Sequence, residues 1–213
     1  MATAELPDMA AVTQMLRQHT PASSLDNPLT EIVVFKLLPA QMPPSAATLG
    51  RIEKDFAVNS AGGVGVRRVA WGTSLTDPAT VVLMFDWRRI QDHWDFWAAE
   101  AFVPVITAIQ ELFEPGRPLV RHFDFKGQGM LVERWQRLDV WEAGESNVEA
   151  PKNGKWKTWR GGFAVDIGET DWYGACLGYE SENELREEDV QLPKNGEKHL
   201  MDFRFMDGTD KAS

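Results

Sequence analysis

The chain has 213 residues, 43% of them hydrophobic, enough to bury a substantial core in one large domain or two small ones. A formal net charge of -10 with no basic stripe in the sequence argues against nucleic acid and anionic membrane surfaces as partners, because both recruit clustered Lys and Arg. A single cysteine, Cys176, excludes an internal disulfide framework. Met1 to Asp8 lacks a signal-peptide pattern and no run approaches the ~18 apolar residues of a membrane span, so a cytoplasmic protein is expected.

In chain order, residues 1–28 read as an N-terminal arm. Within it Met9, Val12, Met15 and Leu16 recur at helical spacing behind a possible N-cap, Asp8, and Thr20 to Asn27 is a Pro/Ser/Asn linker. Thr30 to Leu38 is a β-rich run apolar on both faces, which predicts a strand covered on both sides. Ala47 to Ser60 predicts a helix stopped by Gly62-Gly63. Val66 to Trp71 and Thr80 to Trp87 predict a hairpin around Asp77-Pro78. Ile90, His93, Trp97, Ala101, Val105, Ile109 and Leu112 then mark one face of a long helix that Pro104 must kink or divide. Leu119 to Phe125 alternates as a closing strand, with Val120, His122 and Asp124 on one side.

This order is β-α-β-β-α-β, a ferredoxin-like unit over 29–127. The pattern restarts over 128–213, with strands expected at Leu131 to Trp141, Trp156 to Gly168, Trp172 to Tyr179 and His199 to Met206. Ala143 to Lys155 is polar where a helix should stand, and Glu180 to Asp189 permits only a short one. The expected fold class is therefore α+β, with two ferredoxin-like units fused in one chain, the second depleted of helix.

Trp71-Gly72-Thr73-Ser74-Leu75-Thr76-Asp77-Pro78, Phe85-Asp86-Trp87, Asp92-His93, Phe96, Phe102 and the Leu119 to Phe125 strand with His122 resemble the antibiotic biosynthesis monooxygenase group of the dimeric α+β barrel superfamily, in particular its fungal members. The resemblance covers about residues 30 to 125 and implies two sheets packed into one barrel, with each pocket between a sheet and its own helices. It implies chemistry ranging from cofactor-free oxygenation of aromatic polyketides to cyclisation, isomerisation and haem degradation. The haem-degrading branch carries a histidine ligand about ten residues beyond a tryptophan on its second helix. Here that count reaches Ile106 or Thr107, neither of which ligates haem.

His93 shares the inward helix face with Ile90 and Trp97, which suits a general base, while a core histidine bonded to a carbonyl or to Asp86 is the structural alternative. His122 and Asp124 on one strand face form a candidate pair that is equally a satisfied barrel-interior pair. Strict alternation sends Arg67 and Arg68 to opposite faces, so that one faces inward to meet a ligand or simply to pair with Asp86, and the candidate oxyanion partner is Arg68 or His122. Trp71, Phe85, Trp87, Phe96 and Trp97 are expected to line a site for a hydrophobic aromatic small molecule, and Trp94, one step off that face, to be exposed at an interface such as a homodimer's. The four dispersed histidines and the isolated Cys176 propose no metal, and no glycine pair has the setting of a phosphate or dinucleotide loop. Two functions follow: an enzyme working without metal or organic cofactor, or a non-catalytic, ligand-binding or stress-associated barrel whose tryptophans are core.

Overall fold

The computed structural model describes residues 20–115, 119–144, 148–151, 153–188 and 196–209, so the helix expected over 8–19 lies outside them. β1 is Leu29–Lys36, buried along all but its last residue. Its faces serve two compartments: Ile32 and Val34 enter the barrel interior, while Glu31, Val33 and Phe35 face the helices. α1 runs through Ala46–Arg51, a π-helical stretch Ile52–Val58 and Asn59–Ala61, with the Thr48 N–H donating to the Ser45 hydroxyl at its start (3.0 Å). β2 (Val66–Ser74) and β3 (Thr80–Trp87) pair across a turn ordered by Asp77, whose carboxylate accepts from the Ala79 N–H and the Thr80 hydroxyl.

The long helical pattern resolves into two helices, α2 (Ile90–Trp97) and α3 (Val103–Leu112), joined by a 3-10 turn at Glu100–Phe102. Pro104 lies in the first turn of α3, where a missing N–H costs nothing, so it starts a helix instead of kinking one. β4 is Leu119–Phe123, β5 Trp135–Glu142, β6 Thr158–Phe163 and β7 Trp172–Tyr179. The short α4 (Glu182–Arg186) precedes β8 (Gly196–Asp207). Among the described residues no helix is long and apolar enough to cross a membrane.

All eight strands join one antiparallel sheet in the order β4-β1-β3-β2-β8-β5-β7-β6. The first four take the ferredoxin-like order and the last four repeat it, which makes the fold a dimeric-type α+β barrel assembled within one chain. β2 and β8 splice the halves, from Arg68 opposite Asp207 to Ser74 opposite Met201. At the other end the edges meet. The Asp124 N–H donates to the Phe163 carbonyl (3.0 Å) and the Val165 N–H to the His122 carbonyl (2.9 Å), around a bridge between Phe123 and Ala164. The interior so enclosed holds Met84, Phe123, Leu138, Val140, Cys176 and Phe203.

The halves differ in their outer cover. α1, α2 and α3 lie over the first sheet, whereas the second is covered by α4 through Leu185 and by aromatic side chains such as Trp156, Trp159 and Trp141. Several of the chain's tryptophans thus occupy the place that helices fill on the other side.

The closing seam depends on a glycine. A Cβ at Gly162 would lie 1.9 Å from the Asp124 carbonyl oxygen, an overlap that only separation of the two strand ends relieves. Gly162→Ala is expected to lower the unfolding free energy by about 1–3 kcal/mol, the usual cost of overpacking, in urea titrations. Gly50→Ala, on α1 with open space around it, is expected to raise it by about 0.5–1 kcal/mol.

Candidate active site

Between the first sheet and its helices lies a partly open cavity of about 60 Å³. Phe85, Trp87, Phe96, Trp97 and Phe102 supply most of its aromatic wall, and His93 and Glu31 bring polar atoms to it. The volume admits a few waters and falls below the ~300–1,000 Å³ common for small-molecule sites. Trp97 is half-buried and stacks on Phe102 (centroids 4.4 Å apart), so it is the wall residue with room to swing. Trp71 is buried elsewhere in the same layer with the Arg204 guanidinium 4.6 Å above its ring, and it does not line the cavity.

Behind the aromatic wall, four buried side chains form a row. The Asp166 carboxylate receives the His122 backbone N–H (2.8 Å, Oδ2) and faces His122 Nδ1 at 2.8 Å through Oδ1. His122 Nε2 is 3.0 Å from His93 Nδ1. His93 Nε2 has no hydrogen-bond partner among the described residues, and Glu31 Oε2 stands 3.4 Å away. The Trp87 indole N–H donates to that same Glu31 oxygen (2.9 Å). The His93 ring is sandwiched between Trp87 and Trp94, each 4.7 Å centroid to centroid and tilted by no more than 20°.

Local structure explains the placement. α2 begins with Asp92 clasped by Arg88 (3.1 Å) and Arg89 (2.5 Å), which fixes the turn that carries His93. Glu31 and His122 are register partners on β1 and β4. Asp166 follows the closing seam and is pinned there by the Val165 hydrogen bond and by the ion pair of Arg121 with Glu169 (2.9 Å).

The electrostatics of the two imidazoles are opposite. Burial, reinforced by the neighbouring His122 charge, holds His93 well below the ordinary imidazole value. Burial pulls His122 down too, but the facing Asp166 carboxylate and its hydrogen bond more than reverse this, and the His122 pKa is raised. Asp166 is pushed up by burial yet ends lowered by the His122 charge and hydrogen bonds, and Glu31 is raised by burial that His122 and Trp87 only partly offset.

Glu31, His93 and His122 offer ligating atoms within 4.8 Å of one another, the spacing of a metal site. His122 meets Nδ1 of His93, however, while Glu31 approaches the opposite nitrogen. In this arrangement the contacts use opposite nitrogens of the His93 ring, so the side chains run as a row along it.

Several expectations need correction. The partner of His122 is Asp166 from the far half of the chain; the Asp124 carboxylate instead receives the Lys126 N–H (2.7 Å) in a local turn. His93 bonds His122, and Asp86 is engaged by the Thr30 hydroxyl (2.7 Å) and the Met130 N–H (3.0 Å). Trp94 is 1% exposed, packed with Leu25, Leu29, Ile90 and Val165, so it marks no open interface. A β-bulge between Val66 and Arg68 breaks the alternation, and both arginines border a separate cleft of about 420 Å³ with Asp86. The structure therefore does not bring Arg68 to the histidines; it lies 3.8 Å from Asp207, and Trp87 is the wall shared by cleft and cavity. Although the cleft is the roomier site, the convergent titratable groups belong to the cavity. Sequence reasoning missed Glu31, whose signal was a lone charge inside an apolar strand, and Asp166, which carried no local signal.

The sequence matches no family model and no curated protein. Solved structures share its fold. A candidate monooxygenase of Fusobacterium nucleatum subsp. nucleatum ATCC 25586 superposes with a TM-score of 0.59 at 10% identity, covering 84% of this chain and 94% of that one. An anthrone oxidase-like protein gives 0.58 at 12%, covering 89% and 97%. A candidate monooxygenase of Lactobacillus acidophilus NCFM gives 0.57 at 9%, covering 84% and 96%. At these identities the likeness shows the α+β barrel architecture and nothing narrower.

His122→Ala removes the cation facing a buried carboxylate and is expected to cost about 3–5 kcal/mol near pH 6. A histidine whose pKa is raised on folding stabilises the fold below its unfolded value of ~6.5, and that contribution is lost as pH rises through the folded value. Urea unfolding at several pH values should therefore show the gap between wild type and His122→Ala narrowing as the pH rises above the unfolded value of ~6.5.

Proposed function

We infer that the protein is a small-molecule enzyme that removes a proton from a flat, hydrophobic aromatic substrate held between the first sheet and its helices, with His93 as the base. The carrying observation is buried His93 at the wall of an apolar aromatic cavity, its Nε2 without a hydrogen-bond partner among the described residues and 3.4 Å from Glu31 Oε2. Metal and organic cofactor are unnecessary in this reading, because an aromatic carbon acid that loses a proton gives a delocalised anion able to react with dioxygen directly. For anthrone the balance is one CH₂ and one O₂ giving one C=O and one H₂O. Polyketide-like substrates belong to this class, as does the antibiotic biosynthesis monooxygenase group that the 30–125 region resembles. The repeated strand order supports reading 29–127 and 128–213 as two units, the first bearing the cavity.

Anthrone is the first probe because one fold neighbour is an anthrone oxidase-like protein. His93→Ala is expected to lower anthrone-dependent oxygen uptake by ~10²- to 10⁴-fold while the far-ultraviolet spectrum is unchanged, and His93→Gln to retain binding better than rate. Unchanged uptake in a folded His93→Ala protein would remove His93 from the role.

The small cavity volume favours one rival, a non-catalytic barrel whose aromatics are core. Tryptophan fluorescence distinguishes the two: saturable quenching by anthrone requires Trp97 to make room, and a filled core leaves the emission unaltered.

A further inference from the structure

We propose that His122 and Asp166 form a proton relay behind His93, so that a proton taken up at His93 Nε2 comes to rest as charge on the His122–Asp166 pair. The inference rests on His93 being the base. In the resting relay His122 donates its Nδ1 proton to Asp166 and accepts the His93 Nδ1 proton at Nε2, which leaves the His93 Nε2 lone pair free. When the substrate C–H bond breaks, its electron pair stays on carbon and its proton bonds to His93 Nε2. The His93 Nδ1 proton crosses the hydrogen bond to His122 Nε2, the two nitrogens being 3.0 Å apart, and the imidazolium so formed keeps its other N–H on the Asp166 carboxylate.

The surroundings make this division necessary. His93 lies between two indoles, and an imidazolium there would gain only their π-faces and Glu31, which burial keeps hard to ionise. His122 is faced by Asp166 and Glu169 from the β6–β7 turn, by Glu31 from β1 and by His93 from α2, with Arg121 next to it on β4. The Asp166 carboxylate, in hydrogen-bond contact with His122 Nδ1, favours the charged form at His122. The contact atom and the seat of the charge are thus different residues, which allows a base to sit in an apolar wall without carrying charge there. Asp166 is a positioning residue that reaches the site only because the barrel closes, so the second half completes the first half's active site.

The test uses the full-length protein with ¹⁵N-histidine labelling and the Asp166→Asn and Asp166→Glu variants. In wild type, lowering the pH should protonate both nitrogens of His122 while His93 keeps a neutral pattern throughout. Asp166→Asn should move the His122 titration to lower pH, and Asp166→Glu should restore part of the shift. With anthrone, Asp166→Asn should reduce kcat by ~10²-fold or more with KM little changed. Because the active form lacks the extra proton on His122, the acid limb of its pH profile should move to lower pH with the titration.

A His93 that becomes the charged ring on acidification, a His122 titration indifferent to Asp166→Asn, or a stoichiometric metal in the purified protein held by these histidines would each overturn the relay. The spectroscopic arm needs no turnover, so it stands even where anthrone is not a substrate. Loss of activity in His93→Ala with an unaltered rate and acid limb in Asp166→Asn would overturn the relay alone and leave the base in place.

Discussion

Two backbone hydrogen bonds at the ends of β4 and β6 bring the edges of a twisted sheet together and nearly close it into a barrel. Without them β4 and β6 would both be free edges, each a row of unpaired donors and acceptors open to another chain. Closure also encloses the interior around Phe123, Leu138 and Cys176, residues drawn from both halves, so the apolar faces of both sheets are satisfied at once. The same seam carries Val165 to the His122 carbonyl and the next residue, Asp166, to the His122 ring. Packing and site chemistry therefore share one stretch of backbone, and the close approach at Gly162 serves both.

The halves have divided the work. Helical cover on the first sheet leaves a gap between layers, because cylinders over a twisted surface meet it along ridges. That gap is the cavity beside His93. On the second sheet flat indole and phenol rings lie directly against the strands, and Trp141 with Tyr173 (centroids 5.0 Å apart) illustrates the cover they make. The second half lends the site one carboxylate and gives the first sheet its closure.

Burial acts on every member of the buried row, but not with the same result. It favours the neutral form of each group, and what separates His93 from His122 is the single carboxylate within hydrogen-bond reach of the latter. Glu31 does not repeat that effect on His93, since it stands off at 3.4 Å, is bonded by Trp87 and is itself raised by burial. Asymmetry between chemically identical rings thus follows from one distance and one partner. Cys176 illustrates the limit of burial with no such partner, its thiol pushed far up and inert inside the barrel.

The sequence by itself determined the parts that depend on near neighbours. Alternation and turn chemistry located β1 to β4 and β7, the doubly apolar Thr30 to Leu38 run announced a strand covered on both faces, and helical spacing put His93 inward with Ile90 and Trp97, of which Trp97 lines the cavity and Ile90 packs against Leu29 and Trp94. These follow from periods of 2 and 3.6 that a short window contains. The tertiary structure decided what depends on distant residues: the partner of His122 lies 44 positions away in sequence, a β-bulge that leaves no mark in composition turned Arg68 toward another cleft, and Trp94 is packed by Leu25, Leu29 and Val165, which no helical wheel includes. A side chain's face is set by its own strand or helix, whereas its electrostatic partner is set by where the chain returns, and that was fixed only when β6 closed against β4.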